Sequence, residues 1–110
     1  MIDWDRVSEL REEIGPDDFG EVVEIFLEEV DDTIQVLAAG GAADQMENVM
    51  HFLKGSALNL GFADFADICR RGEAMAAEGS AENISVDEVI QAYRSSRDGF
   101  LTGLTSRFAA

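Results

Sequence analysis

The chain has 110 residues and a formal net charge of −15, and 46% of its residues are hydrophobic. Its length suits one domain with a real core, and its composition excludes a disordered chain. Nucleic acids and anionic membranes are excluded as partners, because both are bound chiefly through Lys and Arg. No segment has the pattern of a membrane span or a secretory signal, and one cysteine is typical of a reducing compartment. We therefore expect a cytoplasmic protein, with residues 1–110 forming one domain.

Turn signals divide the chain into helical segments, and no segment alternates in the manner of a strand. Helices are predicted over about residues 4–14, from 16 to the glycine pair at 40–41, and over 42–60, 63–77 and 85–104. Asp3 is a candidate N-cap of the first helix, and Ser85 and Glu88 form a capping box before the last. Proline favours the first turn of a helix, so Gly15 and Pro16 mark the end of the first helix and the start of the second.

Four long amphipathic helices joined by short links that contain glycine are typical of an antiparallel bundle. We therefore predict an all-α fold, an antiparallel four-helix bundle with a short additional N-terminal helix. The small residues Cys69, Gly72 and Ala76 on one side of the fourth helix predict that one neighbouring helix approaches closely. Arg97 falls inside the apolar stripe of the last helix, and we expect its charged group to reach out to solvent or to pair with an acid such as Glu73.

The only histidine and the only lysine, His51 and Lys54, lie three residues apart, and Gly55 follows directly. At about 100° per residue, the apolar residues of the third helix fall within an arc of about 120°. This arc holds Met46, Val49, Met50, Leu53, Ser56, Ala57 and Leu60. His51 lies about 160° from its centre, and Glu47, Lys54, Gly55 and Leu58 lie within about 60° of His51. His51 is therefore expected to point to solvent in the middle of a helix.

These residue types suit a histidine that carries a phosphoryl group. An exposed imidazole is largely neutral at pH 7, so one ring nitrogen is free to attack phosphorus. Lys54 offers a positive charge to phosphoryl oxygens. Gly55, which costs about 0.5–1 kcal/mol in mid-helix relative to alanine, leaves room for the active site of a second protein. Leu58 and Phe62 would supply an apolar docking contact.

The sequence shows no nucleotide-binding loop and no acidic metal cradle. Its one histidine and one cysteine match no zinc spacing. We therefore expect a phosphocarrier rather than an enzyme, with no cofactor or metal of its own. Such a chain must receive its phosphoryl group from another protein.

The segment from His51 to Gly61, HFLKGSALNLG, resembles the signature of histidine-containing phosphotransfer (HPt) domains. That signature is a histidine, then Leu-Lys-Gly-Ser, and a glycine in the position of Gly61. Cys69 and Glu73 resemble the family's Cys-x-x-x-Glu on the following helix, although Gly72 stands where a larger apolar residue is usual. The resemblance implies a four-helix bundle with an extra N-terminal helix.

The same resemblance implies a function in a multistep two-component phosphorelay, as a free-standing shuttle. It implies that His51 is phosphorylated at Nε2, that Lys54 steadies the phosphoryl group, and that Gly55 admits a response-regulator receiver domain. The implied partners are receiver domains, which bring the aspartate and Mg²⁺, and a hybrid or sensor histidine kinase. We expect the chain to be a monomer.

Three other functions stay open. A helical adaptor or inhibitor that docks on a kinase or response regulator would keep the bundle, but would not need His51, Lys54 and Gly55 together. A catalytic domain of a histidine kinase would need a nucleotide site, which the sequence lacks. A purely structural bundle leaves the exposed cluster unexplained.

Overall fold

A computed structural model describes residues 1–108, which fold into five α-helices. The helices are α1 (Trp4–Ile14), α2 (Pro16–Ala38), α3 (Met46–Leu60), α4 (Ala63–Ala77) and α5 (Val86–Phe108). The helices α2 to α5 form the four-helix bundle, and α1 packs against α2 and α3. The predicted all-α bundle with an additional N-terminal helix is confirmed.

Asp3 caps α1 as predicted, and at α5 the structure shows the Ser85 hydroxyl half of the predicted capping box. The Asp3 carboxylate accepts a hydrogen bond from the amide of Arg6 at the start of α1. The amide of Glu88 donates to the Ser85 hydroxyl at the start of α5, with 3.2 Å between the two atoms. Since each cap satisfies an amide that has no partner inside its own helix, these short polar residues determine where the helices begin.

The third helix begins later than predicted. Residues Ala43–Gln45 form a 3-10 turn, and α3 begins only at Met46. The amide of Gln45 bonds the carbonyl of Ala42, three residues earlier, at 2.9 Å. Ala42 is buried, and its side chain anchors the connection against the bundle before the α-helix can start.

Small residues determine the packing of α4 against α3. A Cβ at Gly72 would lie 2.8 Å from the sulfur of Met50, so only glycine allows this approach without a shift of Met50. Cys69 is fully buried on the same side of α4, and burial raises the pKa of its thiol to about 12. The predicted close approach is confirmed, and the thiol is an inert part of the core.

Aromatic rings on α1, α2 and α5 pack together at one end of the bundle, which we call the aromatic end. Its rings are those of Trp4, Phe19, Phe100 and Phe108. The Trp4 ring stacks on Phe100, with 6.1 Å between centroids. Phe19 meets the edge of Phe108 at 6.2 Å. A Cβ at Gly103 would overlap the Trp4 ring, so the indole lies directly on the backbone of α5. The contacts of Trp4 attach α1 to α5, and the contact of Phe19 with Phe108 joins α2 to α5.

Arg97 pairs with an acid, as predicted, but the acid is Asp31 on α2 and not the example given, Glu73. Nε of Arg97 lies 3.6 Å from Oδ1 of Asp31, and the hydroxyl of Tyr93 donates to the same oxygen. Burial, and then the bond to Asp31, raise the pKa of the Tyr93 hydroxyl. The side of α5 that carries Arg97 packs against α2, whereas Glu73 on α4 pairs with side chains of α3.

The turn between α3 and α4 contacts the N-terminal segment. Gly61 ends α3 with a φ of +76°, a left-handed conformation that favours glycine. Its carbonyl accepts a hydrogen bond of 2.7 Å from the amide of Asp3. A Cβ at Gly61 would lie 2.6 Å from the carbonyl oxygen of Asp3. Both the conformation and the close approach therefore require glycine, and they hold the end of α3 in place.

Candidate functional site

His51 lies in the middle of α3 with 70% of its side chain exposed. The predicted orientation is confirmed, since the opposite side of the helix carries Met50, Leu53 and Ala57 into the core. An imidazole placed in this way is accessible to a second protein. The rigid helix beneath it determines where the ring stands.

Glu73 on α4 connects His51 to Lys54. Its Oε2 lies 2.8 Å from Nδ1 of His51, and its Oε1 lies 2.6 Å from Nζ of Lys54. Each carboxylate oxygen therefore takes one partner. The side chains of Glu73 and Lys54 are only 22% and 27% exposed, so the ring bonds a carboxylate that is itself held in place.

The electrostatics of this cluster determine which imidazole nitrogen is free. The hydrogen bond from Lys54, followed by that from His51, lowers the pKa of the Glu73 carboxyl. At neutral pH the carboxylate is ionised and can only accept hydrogen bonds, so Nδ1 of His51 must carry the hydrogen. In a neutral ring Nε2 then has the unshared electron pair, and it is the nitrogen that can attack an electrophile.

The space beside the ring is open. A Cβ at Gly55, one turn after His51, would meet no atom within 4 Å outside its own helix backbone and chain neighbours. Gly55 is therefore not a packing contact between helices, and a larger side chain there would project into solvent. Because Nδ1 is bound to α4, Nε2 is turned away from that helix.

The predicted docking residues have different outcomes. Leu58 is 57% exposed and Glu47 is also exposed, so both are accessible on α3. Phe62 is only 1% exposed, and the expectation of a docking contact there was wrong. The left-handed turn at Gly61 takes the chain off the α3 surface. Phe62 points into the core, where its ring packs on that of Phe100.

Two residues of this region were not among the predicted site residues. Glu73 was noted only in the Cys-x-x-x-Glu resemblance and as a partner for Arg97, and the structure brings it to His51 instead. Arg70, one turn before Glu73 on α4, lies beside Lys54 and Leu58. The sequence indicates Arg70 only through its position three residues before Glu73, since residues three apart on a helix are neighbours on its surface.

A family model described as Hpt domain matches residues 21–98. The chain belongs to the Hpt family. The match covers most of the 110 residues, including all of α3 and α4, and the predicted family is confirmed. Comparison with curated proteins and with solved structures gives no match.

Hpt domains are phosphocarriers, which transfer phosphoryl groups through a histidine in phosphorelay signalling. The family interacts with receiver domains and histidine kinases. Within residues 1–108, no helix has the length and apolar character needed to cross a membrane.

Proposed function

We propose that this Hpt domain carries a phosphoryl group on Nε2 of His51 between receiver-domain aspartates of a multistep phosphorelay. The observation that supports this most strongly is the single Glu73 carboxylate, which bonds both His51 and Lys54 beside an open surface. A polar surface histidine with no function would not need such an arrangement.

In the proposed transfer, the electron pair of Nε2 attacks the phosphorus of an aspartyl phosphate on the receiver. The N–P bond forms, the P–O bond to the aspartate breaks, and the aspartate leaves as a carboxylate. Nδ1 keeps its hydrogen, so the phosphorylated ring becomes positively charged. The carboxylate of Glu73, 2.8 Å from Nδ1, stabilises this charge. The reverse step delivers the group to a second receiver.

Lys54 stabilises the phosphoryl oxygens in this proposal. Its ammonium group has three hydrogens to donate, and Glu73 accepts only one of them in the free protein. Lys54 can therefore keep its bond to Glu73 and donate to a phosphoryl oxygen on the neighbouring ring. The ion pair holds the flexible lysine side chain close to His51 before the phosphoryl group arrives.

The test is transfer from a phosphorylated receiver domain. Each purified receiver domain of the source organism is loaded with acetyl phosphate and incubated with the chain. We expect a label on the chain that is labile in acid and stable in base, assigned to His51 by mass spectrometry, and no label from ATP alone. His51→Gln should remove the label while changing stability by no more than about 0.5 kcal/mol.

The same experiment distinguishes an adaptor or inhibitor from a phosphocarrier. An adaptor would bind a kinase or receiver and stay unlabelled. Labelling of His51→Gln to the wild-type level would also rule out His51 as the phosphorylated residue. Either result would overturn the proposal.

A further inference from the structure

A shallow depression lies between α3 and α4 beside the cluster of His51, Lys54 and Glu73. Its volume is about 170 Å³. It is lined by Lys54, Leu58, Ala63, Ala66, Asp67 and Arg70. The depression therefore combines two cations, one aspartate, an exposed leucine and two alanines beside the ring of His51.

The cations of the chain are unevenly distributed. No Lys or Arg occurs from residue 12 to residue 53, a stretch that includes all of α2 and the first half of α3. This stretch contains twelve acidic residues. An acidic partner surface would be repelled along α2, and the first cations after this stretch are Lys54 on α3 and the pair Arg70 and Arg71 on α4.

Arg70 and Arg71 are neighbours in sequence but point to different parts of the surface. Arg70 pairs with Oδ1 of Asp67 and lines the depression next to Lys54. Nε of Arg71 lies 3.7 Å from Oδ2 of the same aspartate, and Nη2 of Arg71 lies 3.9 Å from Oε1 of Glu88 on α5. The two arginines are 67% and 61% exposed, so they differ in direction and hardly in exposure.

The ion pair of Arg70 with Asp67 is easily exchanged. Both side chains are exposed, and a pair between exposed side chains contributes little to stability. A carboxylate brought by a partner can therefore replace Asp67 at the guanidinium, whose planar group binds a carboxylate through two parallel hydrogen bonds. Leu58, 57% exposed beside it, offers an apolar contact to the same partner segment.

We propose that Lys54, Leu58 and Arg70 form a docking edge for an acidic side chain on the surface of the receiver domain, and that Arg70 determines which receivers are accepted. This inference rests on the proposed function and adds the chemistry of the partner surface. The occupant follows from charge complementarity, because Lys54 and Arg70 place two cations at this edge, whereas residues 12–53 contain no Lys or Arg. Arg70 contacts the partner and not the phosphoryl group.

The experiment compares Arg70→Ala with Arg71→Ala, a matched control with the same charge change on the same helix. The probe is the acetyl-phosphate-loaded receiver domain to which wild type shows transfer. We expect Arg70→Ala to raise the receiver concentration for half-maximal transfer by about three- to tenfold, without changing the rate at saturation. Added salt should reduce the difference between wild type and Arg70→Ala. Arg71→Ala should change the receiver concentration for half-maximal transfer by less than twofold.

A second variant tests the charge directly. Arg70→Glu should lose more binding than Arg70→Ala, and Arg70→Lys should recover part of it. Changing one exposed acid on the receiver to arginine should restore binding to Arg70→Glu only. Thermal melts of all variants check that the bundle is intact.

Equal effects of Arg70→Ala and Arg71→Ala would overturn the docking edge while leaving the proposed function standing. So would a lower rate at saturation or a shorter phosphohistidine lifetime in Arg70→Ala, since either places Arg70 at the phosphoryl group. If no receiver labels the wild-type chain, the proposed function fails, and the docking edge fails with it.

Discussion

The surface around His51 and the aromatic end of this Hpt domain are built on opposite principles. Around His51, exposed or partly exposed polar groups are held by a few hydrogen bonds, and Gly55 leaves open space. At the aromatic end, the indole of Trp4 fills the space over Gly103 and stacks on the fully buried Phe100. One region leaves room for a partner, and the other leaves none.

The two regions also differ in what they contribute to stability. Burying a phenylalanine side chain stabilises a fold by about 1.5–3 kcal/mol, whereas substitutions at exposed positions such as His51 and Gly55 usually change stability by no more than about 0.5–1 kcal/mol. We therefore expect that the residues proposed to perform transfer can change with little effect on folding, and that the residues of the aromatic end can change with little effect on transfer. Variants in each region should show this separation.

The largest expected effect is on stability, at the aromatic end. Phe100→Ala removes a ring that contacts Trp4 and Phe62, and it should lower the free energy of unfolding by about 3–5 kcal/mol. The measurement is a urea titration, with Leu101→Ala on the more exposed side of α5 as the control. Transfer per folded molecule, measured at low temperature, should stay at the wild-type rate. A loss of transfer in fully folded Phe100→Ala would show that the two regions are coupled.

The next effect is on transfer alone. Gly55→Gln places a long side chain beside His51, where the receiver must bring its aspartate into line, and it should slow transfer by about a hundredfold. Helix propensity predicts that it stabilises α3 by up to about 1 kcal/mol. Gly20→Gln is the control, because Gly20 is also a helical, exposed glycine with open space at its Cβ position. Gly55→Gln and Gly20→Gln should have similar melting temperatures. Transfer at the wild-type rate in Gly55→Gln would show that the receiver does not approach His51 over the turn that contains Gly55.

A smaller effect is expected at Lys54. A single partly exposed cation at a transferring phosphoryl group is worth about 1–2 kcal/mol, so Lys54→Ala should slow transfer by about ten- to thirtyfold. Lys54→Arg should recover part of this loss through its charge. Quench-flow kinetics measure both variants. An unchanged rate in Lys54→Ala would remove this residue from the mechanism.

The smallest effect concerns Glu73 and depends on pH. Folding lowers the pKa of this carboxyl below its ordinary value of 4.5, so its contribution to stability is present above pH 4.5 and is lost as the pH falls through the lowered pKa. Thermal melts of wild type and Glu73→Gln should therefore differ most above pH 4.5 and converge in acid. Glu47→Gln, on an exposed glutamate of α3, is the control. A difference that stays constant from pH 7 to pH 3 would contradict the charge-assisted bonds.

The transfer rate of Glu73→Gln gives a second measurement on the same residue. Glutamine can still accept the hydrogen bond from Nδ1, but it cannot offset the positive charge of the phosphorylated ring. A hydrogen bond to a neutral acceptor is weaker than one to a carboxylate, so transfer should fall by about fivefold. A rate equal to wild type would mean that Glu73 acts on stability alone.

Much of this fold could be predicted because its signals are local. Asp3, Ser85 and the glycines at the turns act within a few residues, and they determine where the helices begin and end. The exposure of His51 follows from the periodicity of α3 alone. The late start of α3 was missed because it depends on the burial of Ala42 against the rest of the bundle, which no local pattern records.

The site could be predicted only as far as one helix extends. His51, Lys54 and Gly55 lie within one turn or so of each other, so their spacing was informative. Spacing did not show which side chains pair across helices: Glu73 was named only as an example of an acid for Arg97, and the structure pairs Glu73 with His51 and Lys54. Phe62 was expected at the surface because it follows Leu58 closely in sequence, but the left-handed turn at Gly61 directs its side chain into the core.

The contact between Asp3 and Gly61 has a consequence for how the protein opens. The hydrogen bond between them joins the start of the chain to the end of the helix that carries His51. Exchange of the Asp3 amide with solvent therefore requires this contact to break, and its rate reports the opening of the turn between α3 and α4. The amide hydrogen of Asp3 therefore reports motion at the C-terminal end of α3, and a receiver that binds α3 should slow the exchange of this hydrogen.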